Sequence, residues 1–133
     1  MHTITRNEEL RFIEVKLCGL CSMEEFQEFV GELRSEIARF PVGRRPPATL
    51  YDFTEASIQT QEVVLAMKAL AEHPAMVHRR VAMYSEGVLA RQQAKRICEN
   101  RSNMFVFASR AEAIDWIVSG ETAKPARQPS LTT

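Results

Sequence analysis

Residues 48–71, ATLYDFTEASIQTQEVVLAMKALA, decide the fold. Thr49, Leu50, Tyr51 and Phe53 are strand formers in a mostly apolar run, bounded by Pro46-Pro47 and by a polar cluster. A run apolar on both faces predicts a central parallel strand covered by helices on both sides. Asp52 interrupts it near its carboxyl end, where open α/β sheets gather functional groups. After a polar crossing, Val63, Val64, Met67, Leu70 and Ala71 recur at helical spacing. The stretch is one strand–helix unit, with Asp52 expected beside the start of its helix.

Toward the amino terminus the pattern changes. Residues 3–6 are short and β-branched, and Asn7-Glu8-Glu9 reads as a turn. In residues 10–17, Phe12, Glu14 and Lys16 alternate with Arg11, Ile13, Val15 and Leu17. Period-two alternation predicts an antiparallel hairpin at a sheet edge. Ser22-Met23-Glu24-Glu25 is a capping box, with Ser22 over a free backbone N–H and Glu25 reaching back to the cap's own N–H. Phe26, Phe29, Val30, Leu33, Ile37 and Phe40 then mark one face of a helix that Pro41 stops.

Toward the carboxyl terminus, His73-Pro74 closes the central helix. Residues 79–84 form the next strand, and a third helix runs from Gly87 to about Arg101 with Leu89, Ala94, Ile97 and Cys98 inward. Residues 104–107 are the last strand. Ser109-Arg110-Ala111-Glu112 is a second capping box, opening a helix with Ala113, Ile114, Trp116 and Ile117 on one face and ending near Gly120. The order β–β–α–β–α–β–α–β–α predicts a single α/β domain over residues 1–120. It has a mostly parallel sheet of about five strands, an antiparallel amino-terminal edge strand and four helices. Residues 121–133, polar and holding two prolines, are expected to form a loose tail.

Formal charge is zero, which weighs against a nucleic-acid partner. The opening residues lack the apolar core of a signal peptide, and no window is long enough for membrane insertion. Three cysteines, an odd number in a chain large enough to fold without disulfides, suggest a cytoplasmic setting.

Three stretches carry a family resemblance: ATLYDFT (48–54), RRVAMYS (79–85) and FVFASRAEAIDWI (105–117). Read with the element order, they resemble the SpoIIAA-like branch of the STAS fold, the anti-sigma-factor antagonist family, over about residues 3–118. In regulatory members of that family a kinase phosphorylates a serine at the start of the helix after the Asp-bearing strand, which switches binding to a partner protein. The family pattern there is an apolar pair, Asp, then Ser-Ser-Gly. Here Thr60 stands near that Asp, and Gln61-Glu62 stand near the two serines, so the acceptor serine is missing. The resemblance therefore implies a protein-interaction module more than a phospho-switch. Related Sec14-type folds carry apolar ligands, which supplies an alternative.

The strand ends of a parallel sheet share one rim. That rim is expected to gather Cys21 and Ser22, then Asp52, Thr54, Ser57, Thr60 and Gln61, then Ser85 and Glu86, then Ser109. A protein partner docking there would use Asp52, Thr54, Ser57, Thr60, Gln61 and Ser85; otherwise these hydroxyls simply cap helices. In the carrier reading, Phe26, Phe29, Met67 and Trp116 line an enclosed apolar cavity. Either reading permits a homodimer. Cys18-Gly19-Leu20-Cys21 has dithiol spacing, but Ser22 is the expected cap, which leaves Cys18 away from a helix start. No second such motif completes a zinc site, and His73 and His78 do not share a helix face, so no metal is expected. The sequence holds no phosphate-binding glycine loop, no nucleophile elbow and no paired carboxylates at catalytic spacing. No cofactor and no enzyme activity are expected.

Overall fold

Five strands form one sheet in the order of the chain: β1 His2–Asn7, β2 Phe12–Gly19, β3 Ala48–Ala56, β4 Val81–Tyr84 and β5 Met104–Phe107. The computed structural model describes residues 1–43, 45–74, 76 and 78–120. β1 pairs antiparallel with β2, and every later pair is parallel. The crossovers carry α1 Met23–Ala38, α2 Gln61–Glu72 and α3 Val88–Ile97, and α4 Arg110–Ser119 follows β5. The domain is thus α/β, as the strand–helix alternation predicts. The expected tail lies outside the described residues.

Side-chain alternation along each strand divides the core. Ile13, Val15, Leu17, Tyr51, Phe53, Val81, Met83 and Val106 face α1, α2 and α3, where Phe29, Leu33, Val63, Met67, Ala94 and Ile97 meet them. Phe12, Leu50, Ala82, Tyr84 and Phe107 point the other way, onto Ala113, Trp116 and Ile117 of α4. Three helices therefore cover one face and a single helix covers part of the other. On that second face Thr3 and Thr5 of β1 are exposed. Beside them stand their β2 partners Lys16 and Glu14. This is why β2 alternates while the neighbouring β3 run is apolar on both sides.

The helix starts follow their sequences. Ser22, Thr60 and Ser109 accept the backbone N–H of Glu25, Val63 and Glu112 at 3.0, 3.3 and 3.2 Å. Gly120 ends α4 in the left-handed region, and its N–H donates to Trp116. Three expectations need correction. Glu25 does not turn back to its own cap: β1 lies alongside α1, and the Glu25 carboxylate takes the His2 ring at 2.9 Å. β3 does not stop near Asp52 but runs four residues further, through Thr54-Glu55-Ala56, because β2 pairs with it as far as Gly19. Leu89 is not inward: the first turn of α3 has not yet come over the sheet, and Leu89 is 67% exposed while Gln93 and Ile97, on the same line of the helix, are buried.

Candidate functional site

The rim at the carboxyl ends of the parallel strands is built around two buried glutamines. Gln59, in the β3–α2 loop, accepts the Cys21 N–H at 2.7 Å and donates its amide to the carbonyls of Gly19 at 3.1 Å and Ser57 at 2.6 Å. Gln93 of α3 closes the circuit, accepting the Gln59 N–H at 2.8 Å and donating to the Gln59 carbonyl at 3.0 Å. Ser57 N–H also donates to the Gly19 carbonyl. Three separate segments are therefore fastened by neutral amides whose polar atoms are used. Such a network adds rigidity because releasing one member strands the others in a dry site.

This latch fixes what stands above it. Leu20 lies between the two latched residues Gly19 and Cys21, Ile58 lies between Ser57 and Gln59, and Leu89 is one turn before Gln93. Leu20 is 57% and Ile58 48% exposed, and Val88 beside Leu89 is also exposed. Leu20 and Ile58 put apolar side chains on loops that the latch holds in place, and Val88 and Leu89 put two more on the first turn of α3.

The expected rim residues fall into two groups. Thr54, Ser57, Thr60 and Gln61 are exposed at the end of β3 and the start of α2. Asp52 and Ser85 are not. Ser85 is buried, and its hydroxyl accepts the Gly87 N–H at 3.1 Å, shaping the turn into α3. Asp52 lies on the α4 face of the sheet, opposite α2, which corrects its expected place beside the start of that helix. Its carboxylate accepts the Thr54 N–H at 2.9 Å and the Tyr84 hydroxyl. Burial first, then that hydrogen bond and the Asp52 and Glu14 charges, raise the Tyr84 phenol above its ordinary pKa, so it stays a donor. Next to this pair Arg110 grips Glu14 by two bonds of 3.0 and 2.7 Å.

The element order and sheet topology that hold these parts are matched outside this chain. Among solved structures the chain is similar to an uncharacterized protein of the DUF3478 family with a SpoIIAA-like fold from Shewanella loihica PV-4. The TM-score is 0.61 at 20% identity, over 88% of this chain and 92% of that one. The fold is SpoIIAA-like. No protein-family model and no curated protein matches the chain. At this identity the likeness concerns the SpoIIAA-like fold alone and brings no residue's role with it.

Within that fold the four residues expected to line a carrier cavity are divided. Phe26, Phe29 and Met67 pack on the three-helix face, and Trp116 packs on the other side of the sheet. The apolar pocket beside Met67, lined also by Tyr51, Leu70 and Met104, has room of about 20 Å³. That suits one water and not a ligand, whose pockets run to about 300 Å³ or more.

Cys18 and Cys21 are both free thiols. Cys21 is buried among the α1 residues, which raises its pKa through desolvation, and Cys18 lies near the Glu55 carboxylate. The amino-terminal ammonium donates to the Cys18 carbonyl at 3.0 Å, and Lys16 pairs with the same Glu55 carboxylate at 3.0 Å. Among the described residues no group of three His, Cys, Asp or Glu side chains could hold a metal ion, and no helix is long and apolar enough to cross a membrane. The sequence reading missed Gln59 and Gln93, since a glutamine in a loop or on a helix carries no sign of burial. Leu20 and Ile58 did carry a signal, as apolar residues set in polar loops.

Proposed function

We propose that the chain is a non-enzymatic protein-interaction module whose partner docks on the latched rim. Leu20, Ile58 and Leu89 supply the apolar centre. Thr54, Ser57, Thr60 and Gln61 supply hydrogen-bonding groups around it, while Asp52 and Ser85 act from beneath as supports. The observation that carries this reading is the exposure of three apolar side chains, Leu20 and Ile58 on loops and Leu89 in the first turn of α3, on segments tied by the Gln59–Gln93 amides. A surface ordered before the partner arrives loses less conformational entropy on binding. An apolar centre within a polar edge is the usual anatomy of a protein interface. The free cysteines fit a reducing compartment such as the cytoplasm.

Affinity capture with the full chain from its source cells tests the proposal. A specific partner should be retained by the unaltered protein and by a Glu28→Gln control, and lost with Leu20→Asp and with Leu89→Asp. Retention of that partner by both aspartate variants would remove the rim as the docking surface. A second copy of this chain as the captured species would make the module a homodimer built on the same surface.

A further inference from the structure

The opposite end of the sheet carries a different chemistry. Arg11 immediately precedes β2, Arg80 immediately precedes β4, and Arg45 lies shortly before β3. Backbone bonds hold these positions together: Ala48 N–H donates to the Arg11 carbonyl and Thr49 N–H to the Arg80 carbonyl, both at 3.0 Å. Arg11, Arg45 and Arg80 line one pocket of about 100 Å³, with His78, Pro46, Ala48 and Ile117 completing the wall. That room admits several waters, or a compact anion in their place.

Among the described residues the three guanidinium groups donate hydrogen bonds only to backbone carbonyls, and Arg11 also lies over the Phe40 ring, 5.6 Å from its centroid. Arg11 donates to Pro41 at 2.9 Å and Arg45 at 2.8 Å, Arg80 to Ile117 at 2.8 Å, and Arg45 to Val118 at 3.3 Å. The contacts to Ile117 and Val118 place cations at the carboxyl end of α4, whose last turn has no basic residue of its own. That accounts for one N–H of Arg45 and one of Arg80, and each guanidinium has five. Among the described residues no carboxylate pairs with any of the three. The Arg11 Nε is buried with no partner among those residues, although buried donors are rarely left so. Arg80 also packs against Gly120 so closely that a Cβ there would strike its guanidinium. Arg45 and Arg80 repel one another: burial first, then the Arg45 charge, lowers the Arg80 pKa.

We propose that this pocket binds a phosphoryl group, held by Arg11, Arg45 and Arg80 with His78 at its margin. A dianion would relieve the mutual repulsion and occupy the unused donors, and guanidinium forks match phosphate oxygens in pairs. The site lies at the other end of the strands from the docking rim and does not depend on the reading of that rim. The shared chemistry is a phosphate monoanion or dianion, either free or as the terminal group of a larger molecule.

The test is titration of the full chain with inorganic phosphate and with phosphoserine, each against sodium chloride at matched ionic strength. Arginine Nε–Hε resonances and the melting temperature are followed. Saturable shifts of the Arg11 and Arg80 signals, together with a rise in Tm, are expected for at least one of the two. The tighter of the two identifies the source of the phosphoryl group. Arg45→Gln, which alters the most weakly anchored of the three side chains, should weaken the response by about tenfold or more, the scale of one lost charge-assisted contact. His78→Gln should weaken it less. A drift no different from chloride, an equal saturable response to acetate, or undiminished binding by folded Arg45→Gln would each overturn the proposal.

Discussion

The two ends of the sheet solve the same problem in opposite ways. Each is a place where strands stop and loops must satisfy backbone groups. At the rim two neutral glutamines tie the β2–α1 and β3–α2 loops to α3, and the hydroxyls of Ser22, Thr60, Ser85 and Ser109 each accept a backbone N–H. At the other end three arginines do the work, and two buried groups, Arg11 Nε and Thr49 Oγ1, have no partner among the described residues. At the rim the buried polar groups are bonded, and what faces outward is leucine and isoleucine beside the exposed Thr54, Ser57, Thr60 and Gln61. An unsaturated cationic end retains strong donors. Under the two proposals, polar satisfaction more than charge count separates the docking rim from the phosphoryl pocket in a chain whose formal charge is zero.

The largest effect should come from breaking the rim latch. Gln59→Leu leaves the Cys21 N–H buried and without an acceptor, which costs about 1–3 kcal/mol on its own, and releases the Gly19 and Ser57 carbonyls as well. A urea midpoint lowered by about 2–3 kcal/mol equivalent is expected. An unchanged midpoint would mean that water replaces the amide freely and the loops are not held. Leu89→Asp, on the same rim, should leave stability within about 0.5 kcal/mol because the side chain is exposed, so any loss of docking is a surface effect.

The other end predicts a change of the opposite sign. Thr49 is fully buried, and its hydroxyl has no partner among the described residues. Thr49→Val should raise stability by about 1 kcal/mol by removing a desolvated polar atom. A loss of stability would show that the hydroxyl has a partner and that this end of the sheet is satisfied.

The smallest effect lies between the ends, where His2 of β1 meets α1. Burial opposes the charged imidazole, but hydrogen bonds to Glu25 and Glu32 and their charges outweigh it and raise the His2 pKa. A raised folded-state value stabilises the fold fully below the unfolded pKa, about 6.5, and that contribution fades as pH rises through the folded value. The melting temperature of His2→Gln should therefore differ from the parent most at pH 5–6 and least above pH 8. A constant difference across that range would mean the ring does not titrate with folding.

Much of this was legible in the sequence because it depends on periodicity. The strand–helix order, the antiparallel edge and three of the helix caps follow from patterns that span many residues, as in Phe26, Phe29 and Leu33 or Ser109-Arg110-Ala111-Glu112. What failed depended on where an element ends relative to its neighbour. The face of Asp52 and the exposure of Leu89 are set by how far β3 extends beside β2 and where α3 first meets the sheet. Neither is written locally. The separation of Trp116 from Phe29 and Met67 has the same origin, since helical spacing shows that a face is apolar but not which side of the sheet it covers. Arg11, Arg45 and Arg80 stand far apart in the sequence, and only the register of β2, β3 and β4 brings the three together.

The most direct measurement places a photo-crosslinking amino acid at Ile58 in the full chain, expressed in its source cell, with Glu28 as the control position. A single defined protein adduct at Ile58, absent at Glu28 and abolished by Leu89→Asp, is the predicted outcome. Adducts at Ile58 that match those at Glu28 in number and identity would contradict it.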